Sequence, residues 1–171
     1  AETLADIPHV RRVTEAAFGR EDEARLVDRL RAESPDAISV VADIDGELAG
    51  HVMLSPMRAP EGAMGLAPVS VRPDLHGKGV GTALVREALD RARAAGWKGV
   101  FVLGDPPYYA RFGFHTQTAR GYASSYSGPF LMGLELEAGA LSGEGELSYA
   151  RAFDDLAARV SDRRCTPAEL G

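Results

Sequence analysis

Gly77, Gly79 and Gly81 stand at alternate positions in a stretch suited to holding an anion. The run reads Val69-Ser70-Val71-Arg72-Pro73-Asp74-Leu75-His76-Gly77-Lys78-Gly79-Val80-Gly81-Thr82-Ala83-Leu84. Glycine reaches turn conformations that other residues avoid and lets a ligand come close to the backbone. A helix that starts inside such a turn has several N–H groups without an intrahelical partner, and its dipole places positive charge at the same spot. Phosphate satisfies both. The spacing excludes two nucleotide motifs. A dinucleotide fingerprint wants its third glycine where this chain has Thr82, or Leu84 when counted from Gly79 and Gly81; a P-loop wants Ser or Thr after the lysine, and Lys78 precedes Gly79. The plain alternative is a glycine-rich connection with no ligand.

The flanking elements must aim this turn. Val69 and Val71 lie on one side of an alternating strand over 66–71, which Pro73 closes. From Val80 the apolar residues Leu84, Val85, Ala88, Leu89 and Ala92 recur at helical spacing, with Arg86, Asp90 and Arg93 opposite and Gly96 placed to end the helix. Upstream, Asp6 is positioned to cap a helix carrying Val10, Val13, Ala17 and Phe18, and Gly19 interrupts it. A second helix is expected over 21–33, then strands over 38–43 and 47–57 joined at Asp45-Gly46, a strong hairpin signal. Residues 58–65 read as a polar connection. Downstream, 99–103 is a short apolar run suited to a strand covered on both faces. A short helix over 108–112, a polar stretch over 116–128, a strand over 129–137, a loop over 139–148 and a helix over 151–163 follow. A helix between the third and fourth strands implies a parallel pair, and the hairpin implies antiparallel neighbours. The expected fold is α/β (α+β), a mixed sheet flanked by helices, in one domain over 1–163 with a tail over 164–171.

His76-Gly77-Lys78-Gly79-Val80-Gly81 resembles the acetyl-CoA motif of the GNAT N-acetyltransferases: Gln or Arg, two residues, Gly, one residue, then Gly or Ala. His76 stands where Gln or Arg is usual. Tyr109-Ala110-Arg111-Phe112-Gly113-Phe114 matches that family's Tyr-x-x-x-Gly-Phe block, and the wider chain is similar to its YhbS-like branch. The resemblance implies a twisted sheet that splays open beside the cofactor. It implies that N–H groups of Gly77, Lys78, Gly79, Val80, Gly81 and Thr82 hold the diphosphate, with a ring donor from His76. It implies that Val69, Ser70 and Val71 pair with the pantetheine amides, and that Tyr109 is the general acid to the departing thiolate. A tyrosine that only packs is the alternative role for Tyr109, and Tyr108 is the neighbour to distinguish from it. Lys78, Arg72 and Arg86 are the cations near the turn. The family's usual carboxylate on the strand is missing here, which leaves Glu61, His51, His115 and Glu135 as replacements for a base, each with a bland role open to it.

Composition sets the remaining bounds. The 171 residues suffice for one domain with a sizeable core, and 45% hydrophobic with 26% charged residues is ordinary globular usage. The net charge of −6 and pI of about 5.2 argue against nucleic acid as the main partner. Cys165 is the only cysteine, which excludes an intramolecular disulfide and suits a reducing cytoplasm. There is no long apolar run to span a membrane, and no metal site is expected. The expected acceptor is a small-molecule or peptidyl amine, in a pocket formed by the first two helices, 58–65 and 116–128, with Tyr122, Tyr126 and Phe130 along it. A homodimer stays open. The rival reading is a module that binds acyl-CoA without turnover.

Overall fold

The computed structural model describes residues 1–154. Helices α1 (Ile7–Phe18) and α2 (Asp22–Glu33) precede strands β1 (Ile38–Ile44), β2 (Glu47–Pro56) and β3 (Ala63–Val71). Then come α3 (Val80–Ala94), β4 (Gly99–Leu103), α4 (Pro106–Ala110), β5 (Tyr122–Ala123), β6 (Leu131–Glu135) and β7 (Gly145–Glu146). Five strands form one sheet in the order β1-β2-β3-β4-β6, and β5 pairs with β7. Only β3 and β4 are parallel within the large sheet, and the mixed sheet expected from the element order is present.

Each layer follows from the apolar pattern. α3 lays Leu84, Val85, Ala88, Leu89 and Ala92 on one face of the sheet, against Val52, Leu54, Val69 and Val71. Each buried Leu or Val there contributes roughly 1.5–3 kcal/mol. That outweighs the loss of about 1 kcal/mol from Gly81 in the first turn. α1 and α2 cover the opposite face with Val10, Leu26, Val27 and Leu30, around Met53 and Phe101. Asp6 departs from its expected role: its carboxylate accepts from the Thr3 N–H and hydroxyl, closing the turn before α1 rather than capping α1. β3 begins at Ala63, which shortens the expected 58–65 connection. The expected strand over 129–137 is confined to Leu131–Glu135. The expected helix over 151–163 and the tail lie outside the described residues beyond Asp154.

Two features aim the site. The parallel pairing of β3 with β4 covers only Ala63–Gly65 against Gly99–Phe101, so the two strands part beyond Gly65. On its other side β3 stays paired to β2 as far as Val71, with one extra residue between Leu66 and Val69, a bulge that takes in Pro68. The second feature is Gly50 of β2. A Cβ there would lie 2.8 Å from the Ser70 carbonyl oxygen and 2.9 Å from Leu84 Cδ1. Only glycine lets the first turns of α3 settle this close to the sheet.

A buried polar cluster fastens the chain start. Arg31 donates to Glu2 at 2.5 Å, the Ser39 hydroxyl donates to the same carboxylate, and His51 Nε2 lies 2.7 Å from Ser39 Oγ. Because the Ser39 proton goes to Glu2, His51 must donate from Nε2, which leaves Nδ1 unprotonated and without a partner. Burial lowers the His51 pKa, so the ring is neutral. Burial alone would raise the Glu2 pKa, but His51, Ser39 and Arg31 outweigh it and hold it down to about 2.

Two predictions follow from this packing. Gly50→Ala lowers stability by about 1–3 kcal/mol, read as a fall in Tm; an unchanged Tm contradicts the close approach. Glu2, lowered from 4.5 to about 2, contributes stability that is full above pH 4.5 and is lost as pH falls toward 2. Urea midpoints across that interval fall more steeply in wild type than in Glu2→Gln, and parallel curves refute the coupling.

Candidate active site

The glycine turn sits where β3 parts from β4. A single turn over Pro73–Leu75 leads into it. Gly77 and Gly79 have φ of 75° and 84°, in the left-handed region, and a Cβ at either would meet nothing within 4 Å. Backbone conformation therefore selects glycine here, and the space beside it is open. α3 starts at Val80 with no side-chain cap. Among the described residues no acceptor takes the N–H groups of Gly77, Lys78, Gly79, Val80, Gly81 or Thr82; the first bond is Ala83 N–H to the Gly79 carbonyl at 3.1 Å. Six free donors at the positive end of a fifteen-residue helix fit a diphosphate.

His76 has a partner within the protein. Its Nε2 lies 2.8 Å from the Val71 carbonyl oxygen, so Nε2 carries the proton and donates there. Its work is to brace the turn against the end of β3. Arg72 is also engaged: it donates twice to Asp74, at 3.0 and 2.7 Å, and to Glu47 at 3.0 Å. Lys78 and Arg86 are exposed.

The strand edge beside the turn supplies further donors. Arg72 N–H reaches the Ala49 carbonyl of β2 at 2.8 Å. Strand alternation then turns the N–H groups of Val69 and Val71 toward the opening, and those of Ser70 toward β2. The Ser70 side chain is buried on the α1 face, 3.2 Å from Thr14 Oγ1. Of the three strand residues, Val69 has a free edge, Val71 keeps a free N–H while its carbonyl accepts from His76, and Ser70 anchors them.

α4 brings the tyrosines alongside. Pro106 and Pro107 occupy its first two positions, where a missing N–H costs the helix nothing. Tyr109 is 1% exposed, within the same core cluster as Val71, Leu84 and Val102. Gly113, at φ 94°, turns the chain so that Phe114 packs edge-on against Tyr109 at 5.8 Å. This is the physical content of the Tyr-x-x-x-Gly-Phe spacing. Burial, with the nearby charges of Tyr108 and Asp105, pushes the Tyr109 pKa well above the ordinary tyrosine value, so its hydroxyl keeps its proton and serves as a donor. Tyr108 is half-buried against the rim of the same cluster, with the Arg111 guanidinium 4.4 Å from its ring centre. Arg111 Nη1 also reaches Thr82 Oγ1 at 3.4 Å, which ties α4 to the start of α3. Sequence reasoning passed over Arg111, although it lies two residues beyond Tyr109 in the same block.

The replacement bases fall away from the opening. His51 is buried against Ser39, and the Glu135 carboxylate accepts from the Gly139 and Leu141 N–H groups at 2.9 and 3.1 Å. Glu61 and His115 are exposed, and His115 exchanges backbone bonds with Gly133. Of the aromatics expected along an acceptor pocket, Tyr122 packs in the core, edge-on to Phe101 at 5.2 Å. Tyr126 rests on Tyr149 at 5.8 Å, and Phe130 is 53% exposed at the start of β6. Another carboxylate lies near Tyr109. Asp105 precedes α4 without a side-chain cap bond and is half-buried, and its charge helps raise the Tyr109 pKa.

Comparison with known proteins agrees with this geometry. The sequence matches the acetyltransferase (GNAT) family over residues 7–114. It is 36% identical over 135 residues to the uncharacterized N-acetyltransferase YjhQ of Escherichia coli K12, covering 73% of this chain and 74% of that one. The crystal structure of the GNAT N-acetyltransferase YhbS from Escherichia coli in complex with CoA superposes with a TM-score of 0.79 at 29% identity, covering 90% of this chain and 89% of that one. A GNAT acetyltransferase from Brucella melitensis in complex with acetyl-CoA gives a TM-score of 0.75 at 37% identity, over 90% of this chain and 95% of that one. With its glycine turn at the mouth of a splayed mixed sheet and a family match across most of its core, this chain belongs to the GNAT family of acetyltransferases.

Proposed function

We propose that this protein transfers an acetyl group directly from acetyl-CoA to an amine of a small molecule or peptide, with Tyr109 as general acid. The observation that carries the reading is the set of six unpartnered N–H groups from Gly77 to Thr82, beside the free edge of β3 and one short helix from Tyr109. Bound acetyl-CoA supplies an activated acetyl group whose leaving group is a thiolate.

The chain's own residues do the rest. The N–H groups of 77–82 hold the diphosphate and fix the reach of the arm beyond it. The free edge of Val69 pairs with the pantetheine amides as a strand edge pairs with a peptide, and Ser70 keeps that strand docked on β2. Val71 N–H, at the end of β3, polarises the acetyl carbonyl oxygen, where negative charge grows as the amine adds. The Tyr109 hydroxyl gives its proton to the sulfur as it departs, and the proton shed by the adding amine passes to solvent water, which returns one to Tyr109. The amine approaches from the α1 and α2 side of the opening, across from α3 and α4.

Tyr109→Phe keeps the ring packing and removes the proton. It lowers kcat by about 100-fold or more, with CoA affinity by calorimetry nearly unchanged; wild-type turnover on the same amine removes Tyr109 from the acid role. Gly79→Glu forces a carboxylate into the open space of the turn at a φ of 84° and abolishes CoA binding. A folded Gly79→Glu variant that binds CoA normally overturns the cradle. CoA binding with no turnover on a broad panel of amines favours a binding module instead.

A further inference from the structure

Arg111 follows α4 directly, is exposed, and reaches back to the start of α3. Its Nη1 stands 3.4 Å from the hydroxyl of Thr82, the third residue of α3, and its guanidinium lies 4.4 Å from the centre of the Tyr108 ring. A fixed positive charge thus sits at the positive end of a helix dipole, beside N–H groups that have no acceptor. Electrostatics alone disfavours that position. Among the described residues no carboxylate lies within ion-pair distance of Arg111. Arg72, by contrast, is neutralised by Asp74 and Glu47. The Tyr108 face holds Arg111 in place, because a planar guanidinium stacks where an ammonium does not. A cation kept where its charge is unwelcome, facing six empty donors, is complementary to an anion lying between them.

We propose that Arg111, shelved on Tyr108, closes the cradle from above and bonds a diphosphate oxygen of the acetyl-CoA held from below by residues 77–82. The inference rests on the cradle reading given under Proposed function. It divides the adjacent tyrosines: Tyr109 turns inward toward the reacting sulfur, and Tyr108, at the rim of the cluster, is the platform for Arg111.

Calorimetric titration of three probes tests it: CoA, 3′-dephospho-CoA, which keeps the diphosphate, and pantetheine, which has no phosphate. Arg111→Ala weakens CoA and 3′-dephospho-CoA by the same factor, about tenfold or more, and leaves pantetheine unchanged. Arg111→Lys restores the loss only in part. Tyr108→Leu weakens CoA similarly, and the double variant shows little further loss, because shelf and cation act as one unit. Unchanged CoA affinity in a folded Arg111→Ala variant overturns the proposal. A loss seen with CoA but absent with 3′-dephospho-CoA assigns Arg111 to the 3′-phosphate and also overturns it. An equal loss with pantetheine means that Arg111 only packs the wall of the site, and refutes it too. Gly79→Glu separates the two readings: normal CoA binding there defeats the cradle itself, whereas a silent Arg111→Ala beside a non-binding Gly79→Glu defeats only the clamp.

Discussion

The close seat of α3 on β2 is the constraint on which the site depends. At Gly50 the helix comes within side-chain contact of the sheet backbone, with Leu84 and Val80 filling the space where a Cβ would be. That contact fixes the height and direction of the helix, so its N-terminus emerges at the end of β3 rather than above it. His76 then ties the turn to the Val71 carbonyl. The donors of the turn and the N–H of Val71 are held in one frame by two short-range constraints, a missing side chain and a single hydrogen bond. Neither is an ion pair.

The opening between β3 and β4 is the second requirement, and the core supplies it. The two strands pair for three residues and then diverge. The bulge at Ala67 and Pro68 bends β3 away, and β4 instead follows β6, with which it pairs along its whole length from Gly99 to Leu103. On the α3 side the aromatic rings of Tyr109 and Phe114 join the cluster of Val71, Val102 and Leu84. Tyr109 therefore belongs to the core and, in the proposed reaction, to the site as well. Its burial supports the packing and keeps its hydroxyl protonated.

The parts of this account that are short-range were legible in the sequence. The spacing of Gly77, Gly79 and Gly81, the amphipathic pattern of α3, the Asp45-Gly46 hairpin and the Tyr109 to Phe114 block each express a local backbone or packing need. What was hidden depends on contacts between distant segments. Glu135 looked like a free carboxylate, yet its oxygens receive the N–H groups of a loop several residues on. His51 looked like a strand-face histidine open to chemistry, and its partner is Ser39 on β1. Tyr122 looked like a pocket residue and is a core ring against Phe101. Arg111 went unweighed because its meaning lies in Thr82, twenty-nine residues away. His76 kept its identity as a donor, but the acceptor is the protein's own Val71 carbonyl.

The most direct test of the central claim is to follow the backbone amide resonances of residues 77–82, Val69 and Val71 by NMR during titration with CoA and, separately, with pantetheine. The account predicts that CoA shifts the amides of Gly77 through Thr82 strongly and slows their hydrogen exchange, while pantetheine leaves those six unmoved. Saturation with CoA that leaves the 77–82 amides unchanged would contradict it.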